Sequence, residues 1–94
     1  MPKKKYTILF VSSEVVPFAK TGGLADVSGA LPKHLKLLGH DIRVIMPKYS
    51  AIKEVKYRLR EVTRLRGVEV PVGDRIHLTS IKCTFIPDTK VQVY

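Results

Sequence analysis

Residues 6–27 read YTILFVSSEVVPFAKTGGLADV, and they decide the fold. The first seven, Tyr6–Ser12, form a nearly continuous run of apolar and β-branched side chains. Such a run is typical of a strand that is buried on both faces, as in a parallel sheet. An irregular stretch with Pro17 follows, and the pair Gly22-Gly23 then precedes a helical pattern. The order of strand, glycine loop and helix predicts the start of an open α/β sheet.

Apolar residues recur at steps of three and four after the glycine pair, which predicts one face of a helix. They are Leu24, Val27, Leu31, Leu35 and Leu38. Gly39 suits a left-handed cap at the end of this helix. Pro32 lies inside the pattern and lacks an N–H donor, so we expect a kink there and not a break. A second strand is predicted from Asp41 to Met46, which completes a βαβ unit with a right-handed crossover.

The second half of the chain predicts smaller elements. Helical spacing favours a short helix from about Ala51. Residues 68–72 alternate between apolar and other side chains, and residues 73–74 form a two-residue turn. Residues 75–86 then return as the second arm of a β-hairpin. The apolar phase shifts within that arm, which predicts a β-bulge near Thr79–Ser80.

The end of the sequence predicts one further strand. Pro87-Asp88 is a turn signal, and residues 91–94 read VQVY. The sequence shows no internal repeat, low-complexity tract or linker.

Length and charge restrict the class of protein. A chain of 94 residues accommodates one small domain or part of a larger one, and it excludes a complete two-domain enzyme. No apolar run is long enough to span a membrane. The net charge of +9 suggests phosphate-bearing partners, either nucleic acid or small phosphorylated ligands. A solvated basic surface is the alternative, and the even spread of charge along the chain argues against a nucleic-acid arm.

Cysteine and targeting signals point to the cytoplasm. Cys83 is the single cysteine, so no disulfide can form within the chain. The basic start at Met1–Lys5 precedes only six apolar residues, too few for a signal peptide, and no small-residue cleavage site follows. We therefore expect a cytoplasmic protein and a buried, inert Cys83 thiol.

The loop and helix start at Lys20–Val27 form the candidate binding site. The two glycines allow a ligand to approach the backbone closely, and the helix that starts there directs unpaired N–H groups into the loop. Lys20 adds a mobile positive charge beside an N-terminus that attracts anions. The alternative is a glycine turn that only allows the helix to pack. The spacing matches neither the dinucleotide fingerprint nor the P-loop.

Two carboxylates belong near this loop. Glu14 follows the first strand and should reach the same cleft, while Asp26 lies in the first helical turn. Together they could form an acid/base pair, as in sugar hydrolysis. Alternatively, Glu14 is an exposed loop carboxylate and Asp26 only complements the helix dipole. The three histidines have no metal-ligand spacing, so neither a metal nor a cofactor is expected.

The residues of this region resemble a known family. Residues 13–27, SEVVPFAKTGGLADV, are similar to the amino-terminal signature of bacterial glycogen synthases and plant starch synthases. Residues 29–33, GALPK, and 39–49, GHDIRVIMPKY, keep the order and spacing of that family. The match is close from about Ile8 to Tyr49 and looser from Ser50 to Tyr94.

The resemblance implies a retaining glycosyltransferase with two Rossmann-like domains that face a deep cleft. Such enzymes transfer glucose from ADP-glucose to the non-reducing end of an α-1,4-glucan. Lys20 inherits the family's role in binding the sugar nucleotide, and Gly22 and Gly23 offer backbone groups to it. Glu14 and Asp26 match acidic positions of the active cleft.

The resemblance also implies that residues 1–94 are the amino-terminal part of the first Rossmann-like domain, with a β-hairpin insertion. The family's central catalytic histidine and its second domain would then lie beyond Tyr94, and the 94 residues alone would be inactive. Two other hypotheses stay open at this point: a stand-alone phosphate- or nucleotide-binding module, and a basic nucleic-acid-binding protein. The donor, ADP- or UDP-glucose, and the oligomeric state also stay open.

Overall fold

The first strand, the helix and the second strand form where the sequence predicts them. In the computed structural model, which describes residues 4–94, β1 spans Thr7–Val11, α1 spans Gly23–Leu37 and β2 spans Asp41–Ile45. β1 and β2 pair in parallel, with Ile8 opposite Ile42 and Phe10 opposite Val44. The parallel strand–helix–strand unit is therefore confirmed. Met1–Lys3, the start of the basic segment weighed above as a signal peptide, lie outside the described residues.

The end of α1 confirms the predicted glycine cap. Gly39 has a φ of 96°, which lies in the left-handed region that a residue without Cβ adopts at little cost. Its N–H donates to the carbonyl of Lys36 at 3.0 Å, and the N–H of His40 donates to the carbonyl of Leu35 at 3.2 Å. These two bonds form a Schellman motif. Pro32 is buried inside the helix, which runs unbroken through it.

The sheet is covered on one face only, within the residues that the structure describes. Ile42 and Val44 are buried on this face, where Ile8 and Phe10 lie beside them half-buried. Leu9 and Val11 point to the other face and are 63% and 74% exposed. The prediction that the first strand is buried on both faces is therefore wrong for the described residues. Both faces of β1 carry apolar side chains, but the described residues cover only the face with Ile8 and Phe10.

The helix also buries a different face from the predicted one. Ala25, Ser28 and Pro32 are its buried residues. The predicted apolar face is exposed at four of its five positions, Leu24, Val27, Leu31 and Leu38, and only Leu35 packs against the core. Small side chains allow α1 to approach the sheet and the preceding loop closely. Periodicity alone cannot distinguish a face of small residues from a face of large ones.

The remaining strands extend the sheet on the far side of β2. They are β3 (Arg60–Glu61), β6 (Lys82–Phe85) and β7 (Gln92–Val93), and the strand order is β1-β2-β7-β6-β3. β7 pairs in parallel with β2, which confirms the predicted last strand. β6 is antiparallel to β7, and β3 is antiparallel to β6. The sheet is thus parallel over three strands and becomes mixed toward β3.

The short helix predicted from about Ala51 is absent from the structure. A single helical turn forms, in which the N–H of Tyr57 donates to the carbonyl of Lys53 at 3.2 Å. Arg58 then takes a φ of 55°, a left-handed conformation that ends the turn. Ile52 and Leu59 pack into the core from this segment, so an irregular backbone, and not the predicted helix, places these apolar side chains.

The hairpin is confirmed, but its second arm is shorter than predicted. β4 (Val68–Val72) pairs with β5 (Arg75–Thr79) across the turn at Gly73, whose φ is 63°. A 3₁₀ turn at Thr63–Leu65 precedes it. The predicted bulge near Thr79–Ser80 is instead a break, after which the chain joins the main sheet as β6. Thr84 and Ile86 are buried there while Phe85 is exposed, so the buried face of this segment does not follow the shifted apolar phase.

Candidate active site

The loop between β1 and α1 lies at the carboxyl end of the parallel strands. The N–H of Ser12 donates to the carbonyl of Ile45 at 3.1 Å, which places the start of the loop beside the end of β2. Ligands of open α/β sheets bind at this edge. The candidate residues Glu14, Lys20, Gly22 and Gly23 all belong to this loop or to the helix start that follows it.

The first half of the loop is packed against α1. Val15 and Ala25 are fully buried, and the N–H of Val16 donates to the carbonyl of Ala25 at 3.1 Å. A Cβ on Gly29 would lie 3.1 Å from the carbonyl oxygen of Val16 and 3.3 Å from its Cβ. Gly29 therefore gives the loop the space to lie directly on the helix.

A pair of buried hydroxyl groups joins the end of β1 to the helix. Ser12 Oγ donates to the carbonyl of Glu14 at 2.8 Å, and it lies 2.8 Å from Ser28 Oγ. Because the Ser12 proton is used on Glu14, Ser28 is the donor within the pair. Ser28 is fully buried, and Ser12 is nearly so. The backbone of Glu14 is thereby held to both β1 and α1.

Two tyrosines hold the loop from its other side. Tyr49 Oη donates to the carbonyl of Ser13 at 2.8 Å, and Tyr57 Oη donates to the carbonyl of Pro17 at 3.1 Å. The Tyr57 ring also packs edge-on against Phe18, with the ring centroids 5.0 Å apart. Sequence analysis assigned no role to either tyrosine. Only the position of Tyr49 just after β2 could have suggested that it reaches this edge.

The helix N-terminus is open at the glycine pair. Gly22 is the N-cap residue, and no side chain caps the helix. Among the described residues, no heavy atom beyond the chain neighbours lies within 4 Å of a Cβ built on Gly22 or Gly23. Close packing between the loop and α1 thus explains why position 29 is glycine, but it does not explain the glycines at positions 22 and 23. Their bare backbone is available to a ligand, as the binding hypothesis requires.

Lys20 and Asp26 form an ion pair at the mouth of the helix. Lys20 Nζ lies 2.9 Å from Asp26 Oδ1, and both side chains are more than half exposed. An exposed pair of this kind contributes only about 0.2–1 kcal/mol. Lys20 can therefore leave Asp26 at little cost when an anion binds at the helix N-terminus.

Glu14 contacts the same loop from the opposite end. Its Oε2 accepts a hydrogen bond from the backbone N–H of Thr21 at 2.9 Å and a second one from the Thr21 hydroxyl. Glu14 and Asp26 thus bracket Lys20 and Thr21, and each carboxylate has its partner within the loop. The structure brings together every residue that sequence analysis assigned to the site, and it adds Ser12, Thr21 and Ser28.

A cavity of about 820 Å³ is lined by residues 56–60 and 84–89, which include the basic side chains Lys56, Arg58 and Arg60. The loop remains the stronger candidate site, because it combines an uncapped helix N-terminus with an exposed lysine at the carboxyl edge of the sheet. Cys83 is only partly buried and not buried as predicted, but desolvation still raises the pKa of its thiol, which keeps it protonated and unreactive.

Two negative findings hold for residues 4–94. They contain no cluster of three or more His, Cys, Asp or Glu side chains that could hold a metal ion. No helix in this range is long and apolar enough to cross a membrane. His40 serves the fold, because its Nδ1 accepts a hydrogen bond from the N–H of Tyr6 at 3.1 Å.

A parallel βαβ unit with a glycine loop at its carboxyl edge defines a Rossmann-like α/β protein. Residues 7–94 match the family model of the starch synthase catalytic domain, and the chain belongs to that family. Over all 94 residues it is 39% identical to a glycogen synthase of Chlorobium phaeovibrioides and 38% identical to one of Chlorobaculum tepidum. The chain spans 19% of the length of each of these relatives.

A solved structure shows the same fold. The chain superposes on the catalytic domain of starch synthase IV from Arabidopsis thaliana, bound to ADP and acarbose, with a TM-score of 0.81 and 25% identity. The match covers 96% of this chain and 18% of that one. The fold predicted from the sequence, part of a Rossmann-like glycosyltransferase domain, is therefore confirmed.

Proposed function

We propose that this chain is part of a glycogen or starch synthase, which transfers glucose from ADP-glucose to the non-reducing end of an α-1,4-glucan with retention of configuration. Membership of the starch synthase family supports the reaction class. The open helix N-terminus at Gly22 and Gly23, with Lys20 beside it, is the observation on which the proposal rests. It suits the diphosphate of a sugar nucleotide.

In this proposal Lys20 and the backbone of Gly22 and Gly23 bind the sugar nucleotide. Negative charge develops on ADP as the glucosyl bond breaks. Donors that already point at this charge lower the barrier because they need not reorganise. Lys20 would exchange its contact with Asp26 for the phosphate, while the helix N–H groups contribute partial positive charge.

Glu14 and Asp26 are proposed as the two carboxylates of the cleft. Asp26 lies on the first turn of α1 and holds Lys20 before a ligand arrives. Glu14 holds Thr21. Both carboxylates are engaged by residues of the loop, and these contacts favour roles next to the ligand over a direct attack on it.

Residues 1–94 are proposed as the amino-terminal part of the first Rossmann-like domain, with the 68–79 hairpin as an insertion. The 19% coverage of the glycogen synthase relatives supports this assignment. The substrates of the whole protein are then a sugar nucleotide and a glucan, and no nucleic acid or membrane is required. A cytoplasmic location remains a prediction from the sequence.

The proposal is tested by glucose transfer from labelled ADP-glucose to glycogen with the full-length protein. Lys20→Ala should lower kcat/KM for ADP-glucose about 10–100-fold, because a hydrogen bond to a charged group is lost. Assays with UDP-glucose in parallel identify the donor.

Lys33→Ala is the matched control. It removes an exposed lysine from α1, away from the loop, so kcat/KM should stay unchanged. A wild-type protein that transfers no glucose would refute the proposed function. Equal kinetics for Lys20→Ala and Lys33→Ala would refute the role of Lys20.

A further inference from the structure

The carboxylate of Glu14 is a hydrogen-bond acceptor for one residue, Thr21. A single oxygen, Oε2, receives both the backbone N–H and the side-chain hydroxyl of Thr21. Thr21 is seven positions after Glu14, and their contact closes the segment between them into a ring. Thr21 is itself exposed, so a side chain and not core packing holds it in place.

Glu14 is in turn fixed from behind. Its carbonyl accepts from Ser12 Oγ, whose partner Ser28 lies on the fully buried face of α1. The neighbouring carbonyl of Ser13 accepts from Tyr49 Oη. The position of the carboxylate is therefore set by β1, by α1 and by the segment after β2 together.

Thr21 stands between the two parts of the proposed binding site. The N–H of Thr21 and the carbonyl of Lys20 belong to the same peptide group. The carbonyl of Thr21 belongs to the next peptide group, which it shares with the N–H of Gly22. Holding the N–H and hydroxyl of Thr21 therefore limits the directions that Lys20 and the glycine amides can take. Without that contact, two successive glycines would allow this segment many backbone conformations.

We infer that Glu14 is a positioning residue: through Thr21 it orients Lys20 and the amides of Gly22 and Gly23 toward the diphosphate of the sugar nucleotide. This inference rests on the proposed function and deepens it. The positioning role requires a hydrogen-bond acceptor oxygen at position 14, but it does not require that this side chain be charged. A carboxylate that touched the substrate would instead act by its charge or its proton.

The acceptor requirement separates the two roles. Gln at position 14 keeps a carbonyl oxygen for Thr21 but has neither the charge nor the acid. In the full-length protein, Glu14→Gln should stay within ~3-fold of the wild-type kcat/KM for ADP-glucose, and Glu14→Ala should lose ~10–100-fold. The loss should appear in kcat as well as in KM, because the loop is proposed both to bind the donor and to stabilise the charge that develops on ADP. A fall in kcat for Glu14→Gln as large as for Glu14→Ala would overturn the inference.

A double-mutant cycle tests the path through Thr21. Thr21→Val removes the hydroxyl, and Thr21→Ser keeps it as the matched control. If Glu14 acts through Thr21, the Glu14→Ala/Thr21→Val double variant is no worse than Glu14→Ala alone, and Thr21→Ser behaves as wild type. Losses that multiply in the double variant would show that Glu14 acts elsewhere.

A second readout does not depend on catalysis. Amide hydrogen exchange at Thr21 should be ~10-fold faster or more in Glu14→Ala and nearly unchanged in Glu14→Gln, because only Ala removes the acceptor. An unchanged exchange rate in Glu14→Ala would overturn the inference even in an active enzyme. Normal exchange behaviour in a protein that transfers no glucose would refute the proposed function and leave the contact intact.

Discussion

Glu54 joins the irregular segment after β2 to strand β6. Lys82 Nζ donates to its Oε1, and Lys48 Nζ lies 3.7 Å from its Oε2. The hydrogen bond from Lys82 lowers the pKa of the Glu54 carboxyl below its usual value of 4.5, with a smaller contribution from the charge of Lys48. The folded state therefore favours the ionised carboxylate, and the pair responds to acid.

Glu54→Gln should make the protein less sensitive to acid. A carboxyl whose pKa is lowered by folding stabilises the folded state above its unfolded pKa, and this contribution is lost as the pH falls through the folded pKa. The difference in free energy of unfolding between wild type and Glu54→Gln should therefore be largest near neutral pH and shrink below about pH 4.5.

Urea denaturation at several pH values measures this difference. Glu69→Gln, at an exposed carboxylate of the hairpin, is the control and should leave the stability unchanged. A Glu54→Gln difference that is constant from pH 7 to pH 3 would contradict the assignment.

Among the secondary-structure elements, α1 positions the candidate site, because its small residues let the loop pack closely against it. Its buried face holds Ala25, Ser28 and Pro32, and Gly29 lies against the loop. Leucines at these positions would separate the helix from residues 12–16 and break the serine contact between them. Close approach of this helix and loop is thus what places Glu14 and Lys20 around the same opening.

Gly29→Val should loosen this contact. The new side chain would meet the carbonyl oxygen and Cβ of Val16, which are anchored by Ala25 and cannot move freely. Overpacking of this kind costs about 1–3 kcal/mol. Ala30→Val places the same β-branched side chain at an exposed position of α1 and should cost only its loss of helix propensity, at most about 0.7 kcal/mol. Equal stability of the two variants in urea would contradict the packing described here.

Strand β2 and the hairpin differ in what they contribute to stability. Ile42 in β2 is 1% exposed and belongs to the core, while Ile76 in β5 is 65% exposed. Ile42→Ala should cost about 2–5 kcal/mol, because it leaves a cavity under the sheet. Ile76→Ala makes the same chemical change and should stay within about 0.5 kcal/mol. Equal losses, measured by denaturation, would mean that the hairpin belongs to the core.

At the scale of the whole molecule, the described residues form a sheet that they cover on one face only. One face of the sheet is covered by α1 and by the segments that precede and follow β2. The other face shows Leu9 and Val11, and α1 shows Leu24, Val27 and Leu31. The candidate loop accordingly faces solvent on one side, with donors for a diphosphate but no second wall in residues 4–94.

The 94 residues alone should therefore transfer no glucose. In the proposed function Lys20 and the helix N-terminus would contact one end of the donor, and a water-excluded cleft is needed for such contacts to accelerate the reaction. Incubation of the purified chain with labelled ADP-glucose and glycogen, beside the full-length protein, measures this. Label incorporated above background by the chain alone would contradict it.

The sequence by itself determined the local structure of this protein. The strand–loop–helix–strand order, the cap at Gly39 and the hairpin turn at residues 73–74 follow from short-range patterns, because they depend on backbone torsions and on neighbouring residues. The site residues Glu14, Lys20, Gly22, Gly23 and Asp26 came from one continuous motif. These residues are close in space because they are close in the sequence.

Only the tertiary structure decided which faces are buried and what the site residues touch. The Leu24–Leu38 pattern predicted the wrong helix face, because burial depends on where the sheet and loop lie and not on periodicity. The break at residues 80–81, where the chain leaves the hairpin for the main sheet, depends on the pairing of β6 with β7 and with β3, which precedes the hairpin. The partners of Glu14 and Lys20, and the support from Tyr49 and Tyr57, likewise arise from packing between segments up to 40 residues apart.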